Sequence, residues 1–136
     1  MMTLTALPYL LQSLEEDDFN RLFSALTEHT TLKPQERPIL CRFCQHPITH
    51  HRYKIDIQGQ HHHIFHNPAE ISFQIGCFSQ ADGCFCYGVP TLEYTWFAGH
   101  YWRYAQCANC HQQLGWYYQA VNQGFFGLIL ANLRDG

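Results

Sequence analysis

Along the first thirty residues, leucines and phenylalanines recur at helical spacing: Leu4, Leu7, Leu11 and Leu14, then Phe19, Leu22, Phe23 and Leu26. Ser13 followed by Glu16 resembles a capping box, and Glu15, Asp17 and Asp18 suit the first turn of a helix. The pattern predicts one helix from about Leu14 to Glu28, with a looser helical turn near Pro8 to Leu11. From Thr31 to Pro38 the apolar period stops and two prolines appear, which reads as a linker. Beyond it the period changes to two. Tyr53 to Ile57 alternates and stops at Gly59, and Ile71 to Ile75 alternates and stops at Gly76. Phe85 to Tyr87, Tyr101 to Gln106, Trp116 to Val121 and Phe126 to Leu130 complete a set of short segments separated by turns. The expected organisation is therefore a helical extension and linker over residues 1–38, followed by a mainly β domain over residues 39–136.

Two CxxC pairs punctuate the β zone, Cys41–Cys44 and Cys107–Cys110. Each can turn two thiolates toward one metal, and together they make a closed tetrahedral Zn2+ site, which is structural because no coordination position is left for water. Two unrelated pairs, or one redox pair, are the competing accounts. A redox CxxC opens a helix in a βαβ unit, and neither flank looks like one. Cys77, Cys84 and Cys86 show no ligand spacing and read as small buried hydrophobes. His50 and His51, His61 to His63 and His66 read as a solvated loop rather than a second metal site.

All three tryptophans, Trp96, Trp102 and Trp116, flank the second CxxC, and Arg103 is the one Lys, Arg, Asp or Glu between the first and the last. Strand alternation turns Arg103 away from the face of Trp102. Three converging indoles make either a core cluster or a cage for a small planar group. Composition by itself favours the core, since Trp usually buries its ring.

Composition narrows the function classes. The chain has 136 residues, 46% hydrophobic and 14% charged, which suits a globular fold. Eight Lys and Arg are spread along it and the net charge is −3, so no nucleic-acid footprint is expected. No apolar run approaches the ~18 residues of a membrane span, and no secretory signal pattern opens the chain, so a cytoplasmic protein with no membrane partner is expected.

The ordered set Cys41–Cys44, Asn67-Pro68, Trp96-Phe97-x-Gly99-x-x-Trp102, Ala105-Gln106-Cys107, Cys110, Leu114-Gly115-Trp116 and the Phe-x-Gly-Leu of Phe125-Phe126-Gly127-Leu128 resembles the CULT domain family. This is the thalidomide-binding domain of cereblon, with its short stand-alone bacterial relatives. The resemblance covers Cys41 to Leu133. It implies a β-tent, two antiparallel sheets clamped by a four-cysteine zinc site. It also implies a small-molecule binding module rather than an enzyme. Cyclic imides (glutarimide, succinimide, thalidomide-like) or uracil- and uridine-like rings would enter a cage walled by Trp96, Trp102 and Trp116, with Tyr118 as floor. The imide N–H would meet the Tyr94 carbonyl and a ring carbonyl the Trp96 N–H, with Thr95 between them and Asn67 and Pro68 at the mouth. Peptides with C-terminal cyclic imides are further partners on this resemblance.

The chain departs from the family in places. Tyr94 stands where cereblon has His, Thr95 where Ser is usual, His100 where Tyr is usual, and Tyr118 where Phe is frequent. The first zone does not resemble the protease-like domain and ligase-docking helices that precede this domain in cereblon, which argues against a ubiquitin-ligase role. Two alternatives share the two CxxC pairs. Zinc-type methionine sulfoxide reductases need a nucleophilic Cys after the second pair, and no cysteine follows Cys110. A Yippee-like interaction module has no small-molecule site and gives no reason for Trp96 and Trp102 at their spacing.

Overall fold

The computed structural model describes residues 33–136, so the helix expected at Leu14 to Glu28 and its capping box lie outside the described residues. Pro34–Gly136 forms one compact unit. It holds nine strands: β1 (Pro38–Cys41), β2 (Pro47–His50), β3 (His62–His66), β4 (Ser72–Phe78), β5 (Cys84–Thr91), β6 (Tyr101–Cys107), β7 (Gln113–Gln119), β8 (Gly124–Ile129) and β9 (Leu133–Asp135). They build two antiparallel sheets, one of three strands in the order β2-β1-β9 and one of six in the order β3-β4-β8-β7-β6-β5. The mainly β, two-sheet architecture expected from the sequence is what the structure shows.

Alternation along the large sheet divides its residues between two cores. On one side, Phe78, Cys107, Leu114 and Leu128 pack with Ile39 and Ile48 of the small sheet. On the other, Cys77, Phe97, Tyr118 and Phe125 form a second cluster, against which Trp96, Trp102 and Trp116 lean. Phe97 and Phe125 are fully buried while the three indoles are half-buried, so the innermost aromatics of this region are phenylalanines and not tryptophans.

Three expectations need correcting. Tyr53 to Ile57 is not a strand. His51–Tyr53 is a 3-10 turn, and Ile57 pairs back onto Gln60 across a tight turn whose central residues, Gln58 and Gly59, both have positive φ. The histidine run is not a solvated loop. His62–His66 is β3, and His63 is 5% exposed, its Nε2 within 3.0 Å of the Ile57 and Gln60 carbonyls. Pro38 opens a strand rather than closing a linker, and the preceding Pro34–Glu36 is a 3-10 turn. Pro38 and Pro47 are each the first residue of their strands, where a missing N–H costs a sheet least.

Arg103 pairs with Tyr117 and so lies on the sheet face opposite Trp102, as alternation requires. Across from it β5 bulges: Tyr87 pairs with Tyr104 and Thr91 with Trp102, leaving Gly88, Val89 and Pro90 to face one residue. The Arg103 guanidinium donates to the Gly88 and Cys86 carbonyls, at 3.0 and 3.3 Å, and holds the bulge together.

Candidate functional site

The two CxxC segments fold into the same knuckle. In each, the first Cys N–H donates across the turn, Cys41 to His46 O and Cys107 to Gln112 O, both at 2.8 Å. The residue after the second Cys bonds back to the first Cys carbonyl at 2.9 Å in both, from Gln45 and from His111. Gln45 and His111 adopt left-handed φ of 68° and 66°, which turns each pair of thiols to one side.

The knuckles then meet. The Sγ atoms of Cys41, Cys44, Cys107 and Cys110 all lie within 4.8 Å of one another. Cys41 and Cys110 are 3.7 Å apart, and Cys44 and Cys107 3.5 Å. A tetrahedron with metal–sulfur bonds of about 2.3 Å has edges of about 3.8 Å, so the four thiols fit a metal ion as they stand. They are much too far apart for disulfides, at about 2.05 Å.

Without a cation the set is poorly matched to its surroundings. Burial pushes the Cys41 thiol up to about 12 and raises Cys107, while a hydrogen bond from the Asn109 side chain draws Cys44 down to about 6. A divalent ion would deprotonate coordinating thiols outright, and the four sulfurs are placed to hold one.

Beyond the knuckles, β6 and β7 carry Trp102 and Trp116 on the face away from the small sheet, and the loop between β5 and β6 carries Trp96. The three border a cleft of about 490 Å3, together with Asn67, Pro68, Phe73, Tyr94 and Tyr118. The indoles are held in place. Trp96 Nε1 donates to the His66 carbonyl at 3.1 Å, and Trp102 Nε1 to the Glu93 carbonyl at 2.7 Å. Trp96 stacks on Phe65 at 5.0 Å and meets Trp116 edge-on, centroids 4.8 Å apart at 74°. Tyr118, 2% exposed, lies beneath, packed between Phe97 and Phe125.

The loop bearing Tyr94 is tightly built. Tyr94 takes φ 58°, a strained value for a bulky residue, and its side chain is 68% exposed. Among the described residues, neither the Tyr94 carbonyl nor the Trp96 N–H has a hydrogen-bond partner. Thr95 is not part of the cleft lining. Its hydroxyl donates to the His100 carbonyl at 2.8 Å and lies 3.3 Å from that of Phe97, so it shapes the turn instead. Asn67 Oδ1 accepts the Ile71 N–H at 2.9 Å and closes the β3–β4 turn, leaving its amide N–H2 group free at the cleft edge.

Phe73 and Tyr104 also line the cleft and were not among the expected site residues. Phe73 meets Trp116 edge-on at 5.5 Å, and Tyr104 meets Trp102 at 5.1 Å. A signal for Tyr104 exists, since it stands two residues after Trp102 on the same strand face. Phe73 has none beyond its place in an alternating strand. Gln112, Gln113, Ile129 and Asn132 extend the lining toward the second knuckle.

Fold and site thus define an all-antiparallel β domain with a four-cysteine cluster and a tryptophan-walled cleft. No family model matches the chain. Among curated proteins, cereblon of Drosophila virilis is 30% identical over 117 residues, 79% of this chain and 18% of that protein. Cereblon of Drosophila willistoni is 39% identical over 54 residues, 36% of this chain and 9% of that protein. Cereblon of Drosophila melanogaster is 35% identical over the same length, with the same 36% and 9% coverage. These matches support a cereblon-like domain in this chain, which spans less than a fifth of the length of these relatives. Among the described residues, no helix is long and apolar enough to cross a membrane.

Proposed function

We propose that the domain is a small-molecule binding module that holds a cyclic imide or a uracil-like ring between Trp96, Trp102 and Trp116, over Tyr118. The observation that carries this is the pairing of half-buried, anchored indoles with two unpaired backbone groups, the Tyr94 carbonyl and the Trp96 N–H. A neutral ring with an acceptor–donor–acceptor edge buries its faces against the indoles and satisfies that edge on the backbone pair. Asn67 offers its free amide at the mouth, and Pro68 and Phe73 close the side.

The four cysteines hold a structural Zn2+, which supplies no chemistry beyond tying β1 to β6 and β7. Among the described residues, the cysteines outside the cluster are poor candidates for a nucleophile. Burial pushes the Cys77 and Cys84 thiols up to about 12 and raises Cys86, so none is a ready thiolate. Partners of the module are small rings or peptides ending in a cyclic imide, met in the cytoplasm. A Yippee-like interaction module would leave the cleft without a role.

The test is titration of the zinc-loaded chain with thalidomide and with uracil, following tryptophan fluorescence and thermal stability. Saturable quenching should accompany a stabilisation of ~2.7 kcal/mol at a hundredfold excess over Kd. Trp102→Ala should abolish both while keeping its metal. A folded, zinc-bearing protein that responds to neither compound, nor to glutarimide, contradicts the cage.

A further inference from the structure

The cleft is larger than the ring assigned to it. At roughly 30 Å3 per water, about 490 Å3 holds on the order of sixteen waters, and an eight-atom pyrimidine displaces no more than about half of that. Part of the lining lies on β7 ahead of Trp116. Gln113 lies three residues before Trp116, about 10 Å along an extended strand, and Gln112 precedes it at the end of the second metal knuckle.

The chemistry of this end of the cleft, where Gln112 and Tyr104 are exposed, is specific. Among the described residues lining the cleft none is charged, so a phosphate or carboxylate would enter without a partner. Its polar groups are instead neutral. The Gln112 and Gln113 amides and the Tyr104 hydroxyl have no hydrogen-bond partner among the described residues. Asn132, by contrast, is committed, its Nδ2 donating to the Gln113 carbonyl at 3.0 Å. That bond, with Cys107 N–H to Gln112 O at 2.8 Å, fixes the backbone that presents the two glutamines.

We propose that the cleft has a second subsite, built by Gln112, Gln113 and Tyr104 on the metal knuckle. It takes a neutral, hydrogen-bonding substituent of the ring and rejects an anionic one. The subsite rests on the cage as ring site. A ribose and a short peptide amide share the required chemistry. Because the knuckle carries the subsite, occupancy also slows metal loss: the substituent bonds to the segment that must open for Cys107 and Cys110 to release the ion.

Calorimetry on the zinc-loaded full chain separates the parts. Uracil is compared with uridine and with uridine 5′-monophosphate, and glutarimide with 3-aminoglutarimide acylated by an uncharged dipeptide. The subsite predicts that at least one substituted ring binds more tightly than its bare ring, by roughly fivefold for each hydrogen bond gained. A gain for uridine alone identifies a ribose, and a gain for the peptide alone an amide chain. Uridine monophosphate should bind more weakly than uridine. Gln112→Leu, at an exposed position, and Gln113→Leu should each reduce the gain and leave the bare ring's affinity unchanged. The tighter-binding compound should also slow transfer of zinc to a chromogenic chelator, more than its bare ring does. The subsite is refuted, with the cage intact, if bare rings bind but neither substituent adds affinity, or if the leucine variants weaken ring and substituted ring alike. Monophosphate binding as tight as uridine refutes its neutrality. Should no bare ring bind at all, the cage fails and the subsite with it.

Discussion

Gly127 on β8 gives the sharpest test of how the cleft floor is built. Its Cα is opposite Trp116 on one side and Cys77 on the other. A Cβ there would lie 2.9 Å from Cε2 of Tyr118 and 3.0 Å from Cγ2 of Ile75. Ordinary carbon contacts are about 3.5–4.0 Å, so Gly127→Ala forces the Tyr118 ring to retreat by about 0.5–1 Å. The ring has little room, because Phe97 meets it edge-on at 4.7 Å and Phe125 stacks on it at 5.3 Å. Overpacking of this kind costs about 1–3 kcal/mol, while the lost backbone freedom of glycine in the unfolded chain returns about 0.5–1 kcal/mol. A net loss of about 1–2 kcal/mol is expected, and a domain of this size loses ~4–8 °C in Tm per kcal/mol. Thermal unfolding measures the loss, and near-ultraviolet circular dichroism should report the displaced aromatics. Metal content should not change, because the cysteine cluster belongs to the other core. Wild-type stability, within about 0.5 kcal/mol, together with an unchanged aromatic spectrum would refute the packing of Tyr118 on Gly127.

Other perturbations address the metal, the loop and the acid side of stability. Cys110→Ser removes an exposed ligand, and since binding energy at such a site is folding energy, cooperative unfolding should be lost along with the thiolate charge-transfer band of a cobalt-substituted sample. A cooperative, metal-free fold would contradict the staple. Thr95→Val removes the hydroxyl that donates to the His100 carbonyl. It should cost about 1 kcal/mol in denaturant unfolding and weaken ring binding through the Trp96 loop; unchanged stability would show the turn to be self-supporting. Burial lowers the His61 pKa from its usual 6.5, so below that pH the unfolded chain takes up the proton more readily. Its contribution is full above about 6.5 and is lost as the pH falls through the lower folded value. His61→Gln should therefore flatten the acid-side slope of stability relative to wild type, and an unaltered slope would clear His61 of the effect.

What was legible in the chain was whatever depends on chemistry at fixed spacing. Two CxxC pairs imply a shared metal wherever the backbone brings them together, and their sulfurs do converge. Alternation correctly turned Arg103 away from Trp102, and it marked β6 near its observed bounds; β4, expected to stop at Gly76, instead runs through it to Phe78, because Gly76, Cys77 and Phe78 pair with β8. It failed where position in the sheet outweighs pattern. β1, β2 and β9 are three or four residues long, too short for a period to register, and two of them open on proline. The histidines of β3 looked like a polar loop because His63 is buried by donating to backbone carbonyls, a solution no local pattern signals. The tryptophans were open between core and cage for a physical reason: both arrangements need apolar rings at the same alternating positions. What separates them is whether something else fills the centre. Here Phe97 occupies the core, and the half-buried indoles stand at its rim, Trp96 and Trp102 pinned through their own N–H groups. An indole whose N–H is spent on the backbone loses its reason to sink further, and on the proposed function its free face is what a planar guest would meet.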